Sequence, residues 1–259
     1  MAIPVGVLGA NGRMGRTVCA AIAADPDLEL VAAVNRVAVG EQVEGVTIAD
    51  DPQALVESGA QVAVDFTHPD AVLANVLWCV DGGVHVVVGT TGMTQDDLGA
   101  IERRIAERGG GSNVFVAPNF AIGAVLMMHF AEQAARFLPA AEVVELHHDG
   151  KADAPSGTAL STARKIAAAR ERPYRGPDAE SLPGSRGGDH EGVRIHSVRL
   201  PGLVAHQEVI LGGPGQTLSI RHDSLDRASF MPGVLLAVKE VGNRPGLTVG
   251  LERLLGLGE

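Results

Sequence analysis

Cysteine and aromatic residues are scarce in this sequence. Cys19 and Cys79 are the only two cysteines among 259 residues, and they form neither a metal-binding spacing nor a disulfide framework. Six Phe, one Tyr and one Trp are too few for a surface that stacks single-stranded nucleic acid. We therefore expect both cysteines to be buried as small apolar residues, and we expect no bound metal.

Positive charge and long apolar runs are also limited. Lys and Arg total 21 against 31 Asp and Glu, so the net charge of −10 disfavours nucleic acid and anionic membrane surfaces as partners. No apolar run reaches the roughly 18 residues of a spanning helix. The first six residues lack the basic segment of a signal peptide. The sequence thus predicts a cytoplasmic protein that binds neither nucleic acid nor a membrane.

Glycine is abundant instead, with 33 residues in 259, nearly twice the usual fraction of about 7%. Many glycines end apolar runs, where strand–helix turns need them. Up to residue 120, short β-branched runs alternate with helical patterns, which indicates strands buried on both faces. This pattern predicts a Rossmann-like doubly wound parallel sheet. Its predicted strands are 3–8, 29–34, 61–65, 84–88 and 113–117, and its predicted helices are 13–24, 52–57, 69–80 and 94–108.

After residue 120 the pattern changes to that of an α+β domain. Helices are predicted at 121–138, 156–171 and 229–240, strands at 142–146, 193–199, 204–211 and 216–222, and an exposed loop at 172–192. We expect the last three strands to form an antiparallel meander within a mixed, largely antiparallel sheet. A partner subunit is the expected cover for its outward face. The predicted domains are residues 1–120 with 229–259, and residues 121–228.

A glycine-rich loop, Gly-Ala-Asn-Gly-Arg-Met-Gly at residues 9–15, follows the first strand and opens the first helix. Such a loop lets the backbone approach a pyrophosphate at the N-terminus of the helix. The alternative is an ordinary strand–helix turn. The candidate cofactor residues in this loop are Gly9, Ala10, Asn11, Gly12, Arg13 and Met14.

Asn35 and Arg36 end the second strand, where sites that prefer NAD usually carry Asp or Glu. Asn35 can bind a ribose hydroxyl, and Arg36, helped by Arg16 or Arg13, can attract a 2′-phosphate. We therefore expect the use of NADPH, alone or alongside NADH. Two further loops end strands at the same edge of the sheet, where small residues let the backbone reach the nicotinamide end. Their candidate residues are Gly89, Thr90, Thr91, Ala117, Pro118, Asn119 and Phe120.

The segment 145–158 combines two histidines, a lysine and a helix start. His147 or His148 could donate a proton near neutral pH, and Lys151 could hold a carboxylate or act as an acid. The Pro-Ser-Gly-Thr start of the helix at 155–158, with Ser156 as its expected N-cap, offers backbone N–H groups to a small carboxylate. Adjacent strand residues point to opposite faces, which disfavours a metal site. A purely structural histidine pair is the alternative.

Five ordered motifs resemble those of the dihydrodipicolinate reductase (4-hydroxy-tetrahydrodipicolinate reductase) family, and the resemblance covers essentially the whole chain. They lie at residues 7–15, 65–69, 88–92, 117–123 and 145–158. The resemblance implies reduction of 4-hydroxy-tetrahydrodipicolinate to tetrahydrodipicolinate by hydride transfer from NADPH or NADH, in lysine and diaminopimelate biosynthesis. It also implies a homotetramer built through the sheet of the second domain.

The same resemblance implies roles for single residues. His147 matches the proton donor, and Lys151 matches a second proton donor or a carboxylate-holding position. The implied substrate-binding residues are His148, Gly157 and Thr158. Asn35 departs from the acid of many members, and Asp149-Gly150 departs from the more basic or Pro-containing residues of relatives. The competing hypotheses are another two-domain dehydrogenase, for a semialdehyde or sugar acid, and a non-catalytic NAD(P)-binding regulator.

Overall fold

The computed structural model describes residues 1–171, 173–177 and 179–257. Arg172 and Asp178, which fall in the predicted loop 172–192, lie outside the described residues, as do residues 258–259. The chain divides into two compact units, Met1–Phe120 with Phe230–Glu259, and Ala121–Ser229. No helix of the described residues has the length and apolar character needed to cross a bilayer.

The first unit is built on a twisted sheet whose strands are parallel except at one edge. Its strands are β1 (Ile3–Leu8), β2 (Leu28–Val34), β3 (Gln42–Val43), β4 (Val46–Ala49), β5 (Val62–Asp65), β6 (His85–Val88), β7 (Val114–Val116) and β13 (Leu247–Val249). In the described chain the strand order is β13-β7-β6-β5-β1-β2-β4-β3, and β3 pairs antiparallel with β4. Its helices are α1 (Arg13–Ala24), α2 (Gln53–Glu57), α3 (Pro69–Asp81), α4 (Gln95–Glu107) and α7 (Met231–Glu240). The predicted Rossmann-like sheet is confirmed.

Burial in this unit explains the continuous apolar runs. All four residues of β5 are buried, as are the last three of β6, because helices cover both faces of a parallel sheet. Cys19 and Cys79 have no exposed surface, which confirms their prediction as buried apolar residues. Burial raises the pKa of each thiol to about 12.

The second unit holds a smaller mixed sheet. Its elements are α5 (Ile122–Ala135), β8 (Ala140–His147), α6 (Gly157–Ala169), β9 (Gly188–His190), β10 (Val193–Arg199), β11 (Ala205–Gly213) and β12 (Gln216–Ser224). In the described residues the strand order is β12-β11-β8-β10-β9. β8 and β10 are parallel, and the other pairs are antiparallel, as predicted for a mixed, largely antiparallel sheet.

The predicted meander of the last three strands is wrong. β10 and β11 each pair with β8, which lies between them, so only β11 and β12 form a hairpin. β8 alternates half-buried and buried residues from Ala140 to Leu146. A central position lets it bury Val143 and Glu145 under one face while hydrogen-bonding along both edges, and chain order alone does not reveal this insertion.

Four short strands were also absent from the prediction. β3, β4, β9 and β13 have two to four residues each, too few to show a period. β9 lies inside the predicted loop 172–192. A 3₁₀ turn at Arg227–Phe230 precedes α7, so that helix begins at Met231 rather than at 229.

Candidate active site

The glycine loop forms a tight turn between β1 and α1. Gly9 has φ +81°, and the N–H groups of Gly9 and Ala10 both donate to the carbonyl of Val34, at 2.9 and 3.1 Å. A Cβ atom on Gly15 would lie 2.0 Å from the carbonyl oxygen of Gly9. Both positions therefore require glycine, one for its backbone angle and the other for close approach of the helix.

The N-terminus of α1 is free of negative side chains. Gly12 is its N-cap, no side chain caps it, and its first turn, which contains Arg13 and Met14, has no acidic residue. Asn11 Oδ1 accepts a hydrogen bond from Nε of Arg16 at 3.0 Å. Backbone N–H groups and the positive end of a helix dipole suit an anion here, so the loop fits the pyrophosphate of a dinucleotide.

Asn35 and Arg36 lie at the end of β2, beside the strand that leads into the glycine loop. Nδ2 of Asn35 donates to the carbonyl of Val37 at 2.9 Å, which fixes its own turn. Arg36 is exposed. Nη2 of Arg16 lies 4.0 Å from a carboxylate oxygen of Glu41 in the loop after Arg36. Arg16 and Arg36 therefore lie in the segments that surround the ribose of a bound dinucleotide in doubly wound parallel sheets.

A buried carboxylate, Asp65 at the end of β5, organises two of the candidate loops. It accepts hydrogen bonds from Thr90 Oγ1 at 2.6 Å, Thr67 Oγ1 at 2.8 Å and Asn75 Nδ2 at 2.8 Å. Asp65 has no exposed surface. These bonds join the loop after β5 to Gly89–Thr91, after β6. The sequence analysis placed Asp65 in the motif at 65–69 but gave it no role, although an acid that closes an apolar run was a visible signal.

The loop Ala117–Phe120 lies beside the same edge. The N–H of Ala117 donates to the carbonyl of Val88 at 3.2 Å, and the buried ring of Phe120 lies 6.2 Å from that of Phe66. Gly89 is needed here, because its Cβ would fall 2.2 Å from the ring of Phe66. Pro118 is exposed and Asn119 half-buried. The structure thus gathers the predicted cofactor loops at the carboxyl ends of the parallel strands.

In the second unit, His147 ends β8 and is held by Glu145 on the same face of the strand. Nδ1 of His147 lies 2.5 Å from Oε2 of Glu145, which has no exposed surface. Arg199, at the end of β10, donates from Nη1 and Nη2 to the two oxygens of Glu145, at 2.9 and 2.8 Å. The N–H of Ser156 donates to Oε1 at 3.2 Å. One carboxylate therefore contacts three segments of the chain.

The pKa values of Glu145 and His147 are each set by opposing effects of burial and of neighbouring groups. Burial raises the pKa of Glu145, but hydrogen bonds from Arg199, Ser197 and His147 outweigh it and leave that pKa below its usual value. Burial lowers the pKa of His147, whereas Glu145 acts in the opposite direction, and the net shift is downward. The positive charges of Lys151 and Arg199 add to this lowering. Glu145 is therefore ionised at neutral pH, and Nδ1–H of His147 donates to it.

The N-terminus of α6 begins next to this cluster. Ser156 is its N-cap, as the sequence predicted, and its side chain accepts from the N–H of Ala159 at 3.1 Å. Gly157 and Thr158 form the first turn, and no acidic residue lies in that turn. This end of α6 has the electrostatics of an anion site.

Lys151 and His148 lie in the exposed connection between β8 and α6. Nζ of Lys151 donates to Oδ1 of Asp153 at 2.7 Å, and this hydrogen bond lowers the pKa of Asp153. His148 is exposed, whereas the side chain of His147 is 15% exposed. The two adjacent histidines thus have different surroundings. Within the described residues, no group of three or more His, Cys, Asp or Glu side chains could hold a metal ion.

Sequence reasoning missed Glu145 and Arg199 as parts of this site. The sequence did contain a signal for Glu145. This residue stands two positions before His147 in a strand, so the two side chains share one face. Arg199 had none, since it reaches the site only through the pairing of β10 with β8.

Comparison with known proteins matches nearly the whole chain to one family. Family models described as "Dihydrodipicolinate reductase, N-terminus" and "Dihydrodipicolinate reductase, C-terminus" match residues 3–120 and 123–255. A 4-hydroxy-tetrahydrodipicolinate reductase of Nocardia farcinica is 56% identical over 99% of this chain and 100% of its own. That of Mycolicibacterium vanbaalenii is 53% identical, over 98% of this chain and 99% of its own.

Solved structures agree. A dipicolinate-bound dihydrodipicolinate reductase from Paenisporosarcina sp. TG-14 has a TM-score of 0.87 and 39% identity, covering 98% of this chain and 99% of its own. A probable dehydrogenase from Thermotoga maritima shares only the fold, with a TM-score of 0.64 and 13% identity, covering 98% of this chain and 93% of its own. The match to the reductase N-terminal domain implies a nicotinamide dinucleotide cofactor. The chain belongs to the dihydrodipicolinate reductase family, the oxidoreductases that reduce 4-hydroxy-tetrahydrodipicolinate in lysine and diaminopimelate biosynthesis.

Proposed function

We propose that the first unit binds the reduced dinucleotide and that the second binds the substrate and supplies its proton through His147. The observation that carries this proposal is the double role of Glu145. Its carboxylate contacts both His147 and the N-cap of α6, so it joins a proton donor to an anion site.

The pyrophosphate is bound by the glycine loop, at Gly9, Ala10, Asn11, Gly12, Arg13 and Met14. Gly89, Thr90, Thr91, Ala117, Pro118, Asn119 and Phe120 bind the nicotinamide end, with Asp65 fixing the first of these loops. The bound cofactor supplies a hydride, and the protein supplies placement and charge.

The cofactor is NADPH, alone or alongside NADH. Asn35 replaces the acid that would repel a 2′-phosphate, and Arg36 is exposed at the same strand end. Arg36→Ala should raise the KM for NADPH about tenfold and change the KM for NADH little, since an exposed arginine contributes mainly charge. A hundredfold preference of the unmodified chain for NADH in kcat/KM would contradict this assignment.

The substrate is a small dicarboxylate. The reductase from Paenisporosarcina carries dipicolinate, which has two carboxylates. In this chain His148, Gly157 and Thr158 bind one carboxylate at the N-terminus of α6. Lys151 binds the second or donates a proton, and that contact competes with Asp153 for Nζ. Two anchored carboxylates orient the reacting carbon, which is a large part of catalysis in such a site.

His147 is the general acid. Loss of the 4-hydroxyl group of the substrate as water leaves a conjugated ring that can accept the hydride. Negative charge then develops on that ring, and Nε2–H of the imidazolium donates a proton to it. Positioned proton transfer of this kind contributes roughly 10²- to 10⁴-fold. The Nδ1 side is occupied by Glu145, so Nε2 is the nitrogen that serves the substrate.

The chain assembles as a homotetramer through the outer face of the second sheet. Ile210, on the face opposite Glu145, and Leu200 are 36% and 55% exposed, and Glu208 pairs with Arg221 at 3.5 Å on the same face. Apolar residues within paired charges suit an isologous contact. Light scattering should return the mass of four chains.

A coupled assay tests the function. Substrate is generated in situ from pyruvate and aspartate semialdehyde with the preceding synthase, and loss of NADPH or NADH absorbance is followed. We expect turnover that depends on the synthase. Folded protein that binds either dinucleotide without turnover would instead support a non-catalytic regulator or a different dehydrogenase substrate.

A further inference from the structure

Glu145 has surroundings that differ from those of an ordinary buried structural carboxylate. Its hydrogen bonds come from His147, from both terminal nitrogens of Arg199, from the N–H of Ser156 and from the side chain of Ser197. The side chain has no exposed surface. Because an ionised carboxylate only accepts hydrogen bonds, its bond to His147 requires a proton on Nδ1.

Arg199 ties the same carboxylate to the substrate segment. Its Nη2 also donates to the carbonyl of Asp153 at 2.6 Å, and Asp153 in turn holds Lys151. The charge of Arg199 offsets that of Glu145, so that the buried carboxylate stays ionised. The pair therefore controls the orientation of His147 and the backbone from Asp153 to Ser156 at once.

We infer that Glu145 is a positioning residue for the reduction: it holds His147 in the Nδ1–H tautomer, turns Nε2 to the substrate and stabilises the imidazolium that donates the proton. This inference rests on the proposed role of His147 as general acid. The carboxylate acts through the histidine and does not itself touch the substrate. The same division of labour orients the base in hydrolytic triads, where loss of the carboxylate costs most of the rate.

The charged groups around His147 define the expected pH behaviour. Glu145 stabilises the imidazolium, and Lys151 and Arg199 oppose it. Asp153 lies next to both cations, through Nζ of Lys151 and Nη2 of Arg199. Loss of the negative charge of Glu145 leaves the two cations unopposed, so the pKa of His147 falls further. The protonated acid is then lost at a lower pH.

Glu142 offers a matched control on the same strand. Its carboxylate contacts Nε2 of His196 at 2.8 Å and Nη2 of Arg186 at 2.7 Å, on the opposite face of β8. Its side chain is 39% exposed. Glu142→Gln thus removes a carboxylate from another histidine–arginine cluster, outside the proposed substrate site. Because Glu142 pairs with Ile210 on the proposed subunit face, the mass of this variant is compared with that of the unmodified chain before its kinetics are interpreted.

The test compares Glu145→Gln, Glu145→Asp and Glu142→Gln in the full chain, with mass and circular dichroism recorded for each. For Glu145→Gln we expect kcat to fall about tenfold to a hundredfold with little change in KM, because positioning is lost rather than binding. The basic limb of kcat/KM against pH should move down by about one unit. Glu145→Asp, which keeps the charge, should restore the limb, and Glu142→Gln should match the unmodified chain.

Histidine ¹⁵N spectra of the free protein give a second readout that needs no turnover. The resonances of His147 are assigned by their loss in His147→Gln. We expect the neutral ring of His147 to be the Nδ1–H tautomer in the unmodified chain and a mixture of tautomers in Glu145→Gln. An Nε2–H tautomer in the unmodified chain would overturn the inference, whether or not any variant folds.

The inference would also be overturned if Glu145→Gln folds and the basic limb of its kcat/KM against pH does not move. Failure of the unmodified enzyme to turn over substrate would sink the proposed function instead, and the tautomer result would still stand by itself.

Discussion

Two buried carboxylates, one in each unit, invite comparison. Asp65 ends β5 and Glu145 lies near the end of β8, and neither has exposed surface. The partners of Asp65 are the neutral groups of Thr67, Asn75 and Thr90. Those of Glu145 include Arg199 and His147, which carry or can carry charge.

These different partners indicate a structural role for Asp65 and a link to a titratable group for Glu145. Neutral donors hold Asp65 and the loops above it in place without a counter-charge. A cationic partner and an imidazole instead couple the geometry around Glu145 to protonation. Burying either carboxylate costs free energy, which its hydrogen bonds must offset. In the first unit they secure loop positions, and in the second they secure the protonation of His147, the proposed proton donor.

Removal of the proton donor should have the largest effect. His147→Ala is expected to lower kcat by about 10²- to 10⁴-fold and to change KM far less, since general acid help is lost while the carboxylate contacts remain. Lys151→Ala should impair both constants. Steady-state kinetics across pH provide the measurement.

Thr90→Val is the counterpart in the first unit, and it should raise the KM for the dinucleotide more than it lowers kcat. An unchanged kcat in His147→Ala would erase the distinction between the two clusters.

Removal of Arg199, the cation that pairs with Glu145, should have the largest effect on the free energy of unfolding. Arg199→Met leaves a buried carboxylate unpaired, so the free energy of unfolding should fall by about 3–5 kcal/mol in urea titration. Arg104→Met, which breaks a half-exposed pair with Asp81 at 3.1 Å, is the matched control and should cost about 0–1 kcal/mol.

Adding Glu145→Gln to Arg199→Met should recover part of the loss, because no unpaired charge then remains. Equal costs for the two arginine variants would show that Glu145 is not held as an ion.

Substitution of Asp65, the structural carboxylate, should reduce stability by less than the loss of Arg199. Asp65→Asn places an amide against hydroxyl donors, and about 1–3 kcal/mol of stability should be lost in the same titration. The KM for the dinucleotide should rise several-fold as the loop at Thr90 loosens, and the pH dependence of kcat/KM should keep its shape. A displaced basic limb in this variant would place Asp65 in the proton chemistry as well.

The smallest expected effect is the pH dependence of stability that Glu145 and His147 contribute. Glu145 and His147 both have lowered pKa values in the folded chain. Their stabilisation is present above the unfolded values of 4.5 and 6.5 and is lost as pH falls through the lower folded values. Stability should therefore decline below pH 6.5 and more steeply below 4.5. Glu145→Gln should flatten the second decline, measured by urea titration at each pH, and a curve parallel to that of the unmodified chain would be the contrary result.

Local sequence predicted much of the fold. Continuous β-branched runs predicted the central strands of the parallel sheet, since burial on both faces leaves no alternation. Ser156 was expected as an N-cap from its place before Gly157 and Thr158, and its side chain does accept from Ala159. The edge strands β3, β9 and β13 escaped because pairing with a neighbour, rather than a period in the sequence, defines them.

The candidate site divides in the same way. The residue types and spacing of 9–15 and 145–158 already indicated a dinucleotide loop and a histidine–lysine segment, because turns, caps and strand faces depend on near neighbours. The insertion of β8 between β10 and β11 depended on long-range pairing. So did the partners of Glu145, since Ser156 is 11 residues away and Arg199 is 54 residues away along the chain. Tertiary packing alone decided those contacts, because a buried charge takes its counter-charge from whichever strand lies beside it in the sheet.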